Sequence, residues 1–101
     1  MKAVVCQTND EFEAAGPGAI FPWWFGVKVS EGGDSGHIMI KCPGCGGESA
    51  MHCRKPGTKH PPTGESWELS GLPESPHLHP SINATGCCGW HGWLENGEYR
   101  K

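Results

Sequence analysis

Two short segments of the same form decide how this chain folds. Residues 42–46 read Cys-Pro-Gly-Cys-Gly, and residues 88–92 read Cys-Gly-Trp-His-Gly. In each segment two metal-binding residues lie three positions apart and a glycine follows. On a turn, two such residues can reach one zinc ion, and the glycine provides the positive φ that closes the turn. The sequence therefore predicts one tetrahedral zinc site, whose ligands are Cys42, Cys45, Cys88 and His91.

Other ligand sets remain open at this stage. Cys87 is the main alternative to Cys88, although it lies one residue out of register with His91. Cys53 and His52 are the alternatives to His91. The cysteines could also be reduced and buried, with the glycines serving only the turns. A zinc ion is the favoured interpretation, because it would close a loop of about 40 residues and stabilise a small domain.

The composition favours a mostly β fold. The chain has 101 residues, which suits a single domain, and 16 glycines and 9 prolines make long helices improbable. Short strands joined by turns are expected, and Asn96-Gly97 is typical of a type I′ hairpin turn. We predict an all-β or mostly β, zinc-ribbon-like core over residues 37–101. Residues 1–36 add an N-terminal strand or hairpin.

The charge and hydropathy exclude several function classes. The net charge of −3 argues against nucleic-acid binding, since that requires a basic surface. Arg54, Lys55 and Lys59 are the only basic group that supports it as an alternative. No apolar run is long enough to cross a membrane, and the N-terminus does not resemble a signal peptide. These features predict a cytoplasmic protein, in which cysteines bind metal more often than they form disulfides.

The two turns and the segments between them resemble a known family. The segments that carry the resemblance are Cys42–Gly46, Ser66–Gly71, Ser75–Ile82, Cys88–Leu94 and Asn96-Gly97. The chain resembles small zinc-ribbon-like proteins of unknown function from tailed phages and bacteria, which are often mislabelled as ammonia monooxygenases. The resemblance covers roughly residues 37–99 and departs from the family pattern at His77, where threonine is usual. It implies a zinc-stabilised β fold and a phage setting in a bacterial host cytoplasm, with the virion as the alternative location.

The function expected from these features is not enzymatic, although the sequence leaves an enzyme open. Four protein ligands form a closed structural zinc site, whereas a catalytic zinc keeps an open position. We therefore predict a phage accessory protein that binds a host or phage protein. It would inhibit a host enzyme or defence system, or form part of the virion. The candidate interface is Trp23, Trp24 and Phe25, because adjacent strand residues face opposite sides and cannot both enter a thin core.

A metal-dependent hydrolase is the main alternative function. His77 and His79 share one face of an extended segment, where they could hold a second metal. Cys87 is a weaker candidate, as a nucleophile with a pKa lowered by a nearby zinc ion. A nucleic-acid-binding zinc module is a third possibility. The oligomeric state is left open.

Overall fold

The residues that the structure describes form one curled sheet and one short helix. The computed structural model describes residues 1–23, 35–57, 66–84 and 88–101, and within these ranges it has the helix α1 (Asn9–Ala14). The eight strands are β1 (Val4–Val5), β2 (Ala19–Phe21), β3 (Ser35–Lys41), β4 (Glu48–Arg54), β5 (Trp67–Ser70), β6 (His77–Ala84), β7 (Trp90–Glu95) and β8 (Glu98–Arg100). The prediction of a mostly β fold is confirmed. In the described ranges, no helix has the length and apolar character needed to span a membrane.

The strands follow one another in the sheet in chain order. The β1–β2 and β4–β5 pairs are parallel and the other neighbours are antiparallel. The N-terminal segment also contacts the last strand, because Lys2 bridges to Glu98 and the Tyr99 amide donates to the Met1 carbonyl at 2.8 Å. The sheet therefore curls until its two ends meet, which gives it an inner and an outer face.

The inner face holds the main apolar core. Alternate residues of the strands point inward, as period-two side-chain geometry requires. Ile38 of β3, Leu78 of β6 and Leu94 of β7 are all fully buried in this core. Burial stabilises each such side chain by about 1.5–3 kcal/mol relative to an exposed position. Because these residues fix which face points inward, the intervening residues of β6 and β7 lie on the outer face.

The helix α1 covers a second apolar cluster. Thr8 caps it, since the Thr8 hydroxyl accepts a hydrogen bond from the Glu11 amide at 3.1 Å. Phe12 is its buried residue and belongs to this cluster with Cys6, Ala19 and Phe21. The buried ammonium of Lys41 donates to the Ala15 carbonyl at 2.7 Å and so fixes the end of the helix to β3. The N-terminal residues are thus packed onto the sheet.

The predicted interface residues fall partly within this region. Trp23 is half-buried and packs against the cluster around Phe12. Trp24 and Phe25 lie outside the described residues.

The predicted turn at the other end of the chain is confirmed, because Asn96 and Gly97 have φ values of 51° and 80° between β7 and β8.

Candidate functional site

Three cysteine sulfurs lie together where β3 ends and β7 begins. Cys42 directly follows β3, Cys45 lies in the turn before β4, and Cys88 lies two residues before β7. Their Sγ atoms are all within 4.8 Å of one another, and those of Cys42 and Cys88 are 3.6 Å apart. Among the described residues, this is the one group of histidine, cysteine or carboxylate side chains arranged to hold a metal ion.

The first turn stabilises a thiolate at Cys42. Burial of the Cys42 thiol raises its pKa, but hydrogen bonds from the amides of Cys45, Gly44 and Gly46 and from the Cys88 thiol outweigh burial, so the pKa is lowered. The Gly44 amide lies 3.4 Å from Cys42 Sγ. A Cβ at Gly44 would lie 2.8 Å from Cys88 Sγ, so only glycine allows the two turns to approach.

This cysteine group fits a metal ion. Thiolates are the preferred ligands of structural zinc, and a lowered pKa at Cys42 favours the ligating form. Cys45 is exposed and is disulfide-bonded outside the trio, so this bond must be reduced before Cys45 can bind metal. Gly46 has a φ of 79°, as predicted for the residue that closes the turn.

His91, the fourth predicted ligand, is not part of the cysteine group. It is the second residue of β7, where Trp90 is buried on the inner face and His91 is exposed on the outer face. Its Nε2 atom lies 3.2 Å from the Oγ atom of Ser81. The structure therefore brings together three of the four predicted ligands and places the fourth beside a serine.

Ser81 lies on β6 at an irregularity in the sheet. Four residue steps on β6, from Leu78 to Ile82, oppose only two on β7, so the extra residues form a bulge. Bulges redirect side chains and are frequent next to active sites. Ser81 is half-buried, and its carbonyl accepts a hydrogen bond from the Trp67 indole Nε1 at 3.1 Å. The nearby His79–Pro80 peptide is cis.

Gly92 has a different role from the one that the repeated turn predicts. Its φ is not positive, because Gly92 lies within β7, and the positive φ of this turn occurs at Gly89 (82°). A Cβ at Gly92 would lie 2.1 Å from the Arg100 carbonyl oxygen of β8. Gly92 is therefore needed for the close approach of two strands, and the prediction of a turn-closing conformation there is wrong.

The other predicted residues do not form a second metal site within the described ranges. His79 is exposed and lies opposite Glu68, whereas His77 lies opposite Ser70. Cys53 is fully buried, which raises the pKa of its thiol to about 12. The His52 ring stacks on His37 with centroids 4.9 Å apart. Cys87 and Lys59 lie outside the described residues, and Arg54 forms an ion pair with Glu68 at 3.0 Å.

Comparison with known proteins gives one result that bears on this geometry. The model of a family described as the bacterial ubiquitination-like system serine protease, BubE, matches residues 10–101. The chain belongs to the BubE family. Neither a curated protein nor a solved structure gives a significant match. The BubE match overturns the prediction of a non-enzymatic phage accessory protein, because the family is described as a serine protease of a bacterial system.

The serine that this family description calls for was not among the residues predicted from sequence. Between described residues, the contact of Ser81 with His91 is the one hydrogen bond that joins a serine hydroxyl to a histidine ring. Ser81 and His91 lie in consecutive segments with strand character, which indicates that the two strands are neighbours but not that these side chains meet. The phage resemblance, the protein partner and the cytoplasmic location stay predictions.

Proposed function

We propose that this BubE-family chain is a serine peptidase in which Ser81 is the nucleophile and His91 is the general base. The observation that carries the proposal is the 3.2 Å separation between Ser81 Oγ and His91 Nε2. This distance is within the reach of a nucleophile–base hydrogen bond. The two residues lie on adjacent antiparallel strands, so the sheet holds their backbones in a fixed relationship.

The chemistry follows from these two side chains. With Nε2 unprotonated, His91 accepts the Ser81 hydroxyl proton as Oγ bonds to the carbonyl carbon of the scissile peptide bond. The imidazolium then donates that proton to the leaving nitrogen as the carbon–nitrogen bond breaks, which leaves an acyl ester on Ser81. Water attacks the ester, with His91 accepting a proton from it, and then returning the proton to Oγ as the carboxylate product departs.

The described residues supply a pair rather than a triad. Within the described ranges, the hydrogen bond to Ser81 is the only one that the His91 ring makes, and its other close ring contact is Trp93 at 5.7 Å between centroids. Trp93 is 41% exposed, so this contact between the two rings lies at the surface. We propose that ring contact with Trp93 limits the orientations of His91.

The family description suggests the class of bond that is cleaved. A serine nucleophile activated by a histidine base forms an acyl ester from an amide substrate. We propose that the substrate is such an amide, in a modifier precursor or conjugate. The support for this part of the proposal is the BubE match over residues 10–101.

We further propose that Cys42, Cys45 and Cys88 hold one structural Zn²⁺ ion. The support is the approach of the three Sγ atoms to within 4.8 Å of one another and the lowered pKa of Cys42. Zinc at a structural site takes four ligands, so one more comes from outside this trio. When bound, the ion would fix the turn after β3 to the residues that lead into β7.

A fluorophosphonate probe tests the peptidase assignment directly. The probe forms a covalent adduct with activated serines, and we expect it to label the wild-type protein at Ser81. Ser81→Ala should abolish labelling, and His91→Ala should slow it by at least about 100-fold, the usual contribution of a general base. Ser70→Ala, which changes an exposed serine of β5, is the matched control and should label normally. Labelling that persists in Ser81→Ala would contradict the assignment.

A further inference from the structure

A cavity of about 410 Å³ is lined by Ile82 and Asn83, the two residues that follow Ser81 on β6, while Ser81 and His91 are not themselves part of its lining. It extends from the turn that follows β3 to the end of β6. Its apolar walls are formed by Ile40, Met51, Trp67 and Ile82, while Glu48 and Asn83 are exposed polar residues of its lining. Ligand-binding cavities have this character, with mainly apolar walls and a few polar groups that orient the ligand.

Two of the lining residues connect the cavity to the catalytic pair. Trp67 donates from its indole Nε1 to the Ser81 carbonyl at 3.1 Å. Asn83 is paired with His91 across β6 and β7 and lies two residues from Ser81. One lining residue therefore binds the backbone of the nucleophile, and another is paired with the base in the sheet.

The contact between Trp67 and Ser81 has a physical reason. Ser81 lies in the bulge, where the regular hydrogen bonds of the sheet are interrupted. A backbone carbonyl that loses its partner in the sheet needs another donor, and the indole supplies it. Trp67 thus fixes the backbone of the nucleophile while its ring forms a wall of the cavity.

We propose that this cavity is the subsite for an apolar side chain of the substrate, on the acyl side of the scissile bond, and that Trp67 is a positioning residue that links the subsite to Ser81. The inference rests on the proposed peptidase function. An aliphatic chain is favoured because Ile40, Met51, Trp67 and Ile82 all present apolar side chains to the cavity. Transfer of one methylene group from water into such a site changes kcat/KM by about four-fold, which corresponds to about 0.8 kcal/mol.

A series of 4-nitrophenyl esters, from acetate to hexanoate, measures this preference on the whole protein. For the wild type we expect kcat/KM to rise by about four-fold for each methylene until the cavity is filled. Trp67→Phe keeps an aromatic wall but removes the donor, so it should lower kcat about equally for every ester and leave the dependence on chain length unchanged. Trp67→Ala should also flatten that dependence.

A second variant keeps the test decisive if Trp67→Ala does not fold. Ser49 is exposed and lines the cavity, so Ser49→Phe should narrow it and reduce the rate for hexanoate more than for acetate. A flat chain-length dependence in the wild type, or an unchanged one in Ser49→Phe, would overturn the subsite. An unchanged kcat in Trp67→Phe would overturn the positioning role.

Ser81→Ala separates this inference from the function on which it rests. If ester hydrolysis persists in Ser81→Ala, the peptidase assignment itself is wrong. If hydrolysis requires Ser81 but shows no preference among the esters, the peptidase assignment stands and only the subsite is wrong.

Discussion

The Sγ atoms of Cys42 and Cys88 lie 3.6 Å apart although the two residues are 46 positions apart in the chain. This contact joins the turn after β3 to the residues that precede β7, and His91 follows three residues after Cys88. The contact between the cysteines brings the two turns together three residues before His91, at which the proposed chemistry begins.

Zinc content tests the cysteine group. We expect about one zinc per chain by elemental analysis of the reduced protein, and loss of that zinc in Cys42→Ser and Cys88→Ser. Thermal unfolding of both variants should begin well below that of the wild type, since metal-binding energy contributes to folding. The matched control is Cys53→Ser, which changes a buried cysteine outside the group and should keep its zinc.

Two outcomes of the zinc measurement bear on the identity of individual ligands. Zinc that remains in Cys88→Ser would contradict the assignment of that ligand. Substitution of Cys87, the neighbour of Cys88 in sequence, tests whether the fourth ligand is a cysteine. Loss of zinc in Cys87→Ser would identify Cys87 as that ligand. In that case the prediction that His91 is the fourth ligand is wrong.

Thiol reactivity should differ sharply among the cysteines. Burial raises the pKa of Cys53 to about 12 and also raises the pKa of Cys6, so burial disfavours the thiolate at both residues. Alkylating reagents attack the thiolate, and both side chains are buried as well. In reduced protein stripped of metal but still folded, iodoacetamide should modify the exposed Cys88 and spare Cys53 and Cys6. Peptide mass spectrometry measures the extent of modification at each cysteine. Modification of Cys53 to the same extent as Cys88 would contradict the burial of Cys53 in the core.

Gly92 should be intolerant of substitution. A Cβ there would lie 2.1 Å from the Arg100 carbonyl oxygen, so Gly92→Ala must push β8 away from β7. We expect a loss of several kcal/mol in the free energy of unfolding, as for other changes that force backbone to shift. Denaturant unfolding measures it, with Gly57→Ala as the control. Gly57 has a positive φ of 86° but open space around it, so its substitution should cost only about 1 kcal/mol.

The Arg54–Glu68 ion pair gives a pH dependence with a definite sign. Hydrogen bonds from the Gly57 amide and from Arg54 lower the pKa of Glu68. A carboxyl group whose pKa is lowered by folding stabilises the protein above its unfolded pKa, and that contribution disappears as the pH falls through the folded value. The melting temperature of the wild type should therefore exceed that of Glu68→Gln at neutral pH, and the difference should vanish in acid. A difference that persists at pH 2 would contradict the ion pair as its cause.

The sequence predicted the meeting of the two turns but not the position of His91. Cys88 and His91 have the same spacing as Cys42 and Cys45, yet β7 already begins at Trp90. From that residue on, side chains alternate between faces, so the burial of Trp90 sends His91 to the outer face. The second ligand position of each segment has the same spacing, but its side chain points in a different direction. Residues 42–46 form a turn throughout, whereas residues 88–92 become a strand at Trp90.

The Ser81–His91 pair was harder to predict for a related reason. In a regular hairpin, the pairing of Asn83 with His91 would make Ser81 a diagonal neighbour of His91. Here β6 carries extra residues between Leu78 and Ile82, so the register at Ser81 does not follow from a regular hairpin. The sequence contains no signal for the register of that bulge. The mostly β fold and the Asn96-Gly97 turn depend on composition and local conformation, and these could be predicted.

Trapping of an acyl-enzyme tests the central claim most directly. After brief reaction with 4-nitrophenyl acetate and an acid quench, tandem mass spectrometry should locate the acetyl group on Ser81 in the wild type. The adduct should be absent from Ser81→Ala, and it should form at least about 100-fold more slowly in His91→Ala. An acetyl group on another residue, or one that forms on Ser81 at the same rate without the His91 imidazole, would contradict the account.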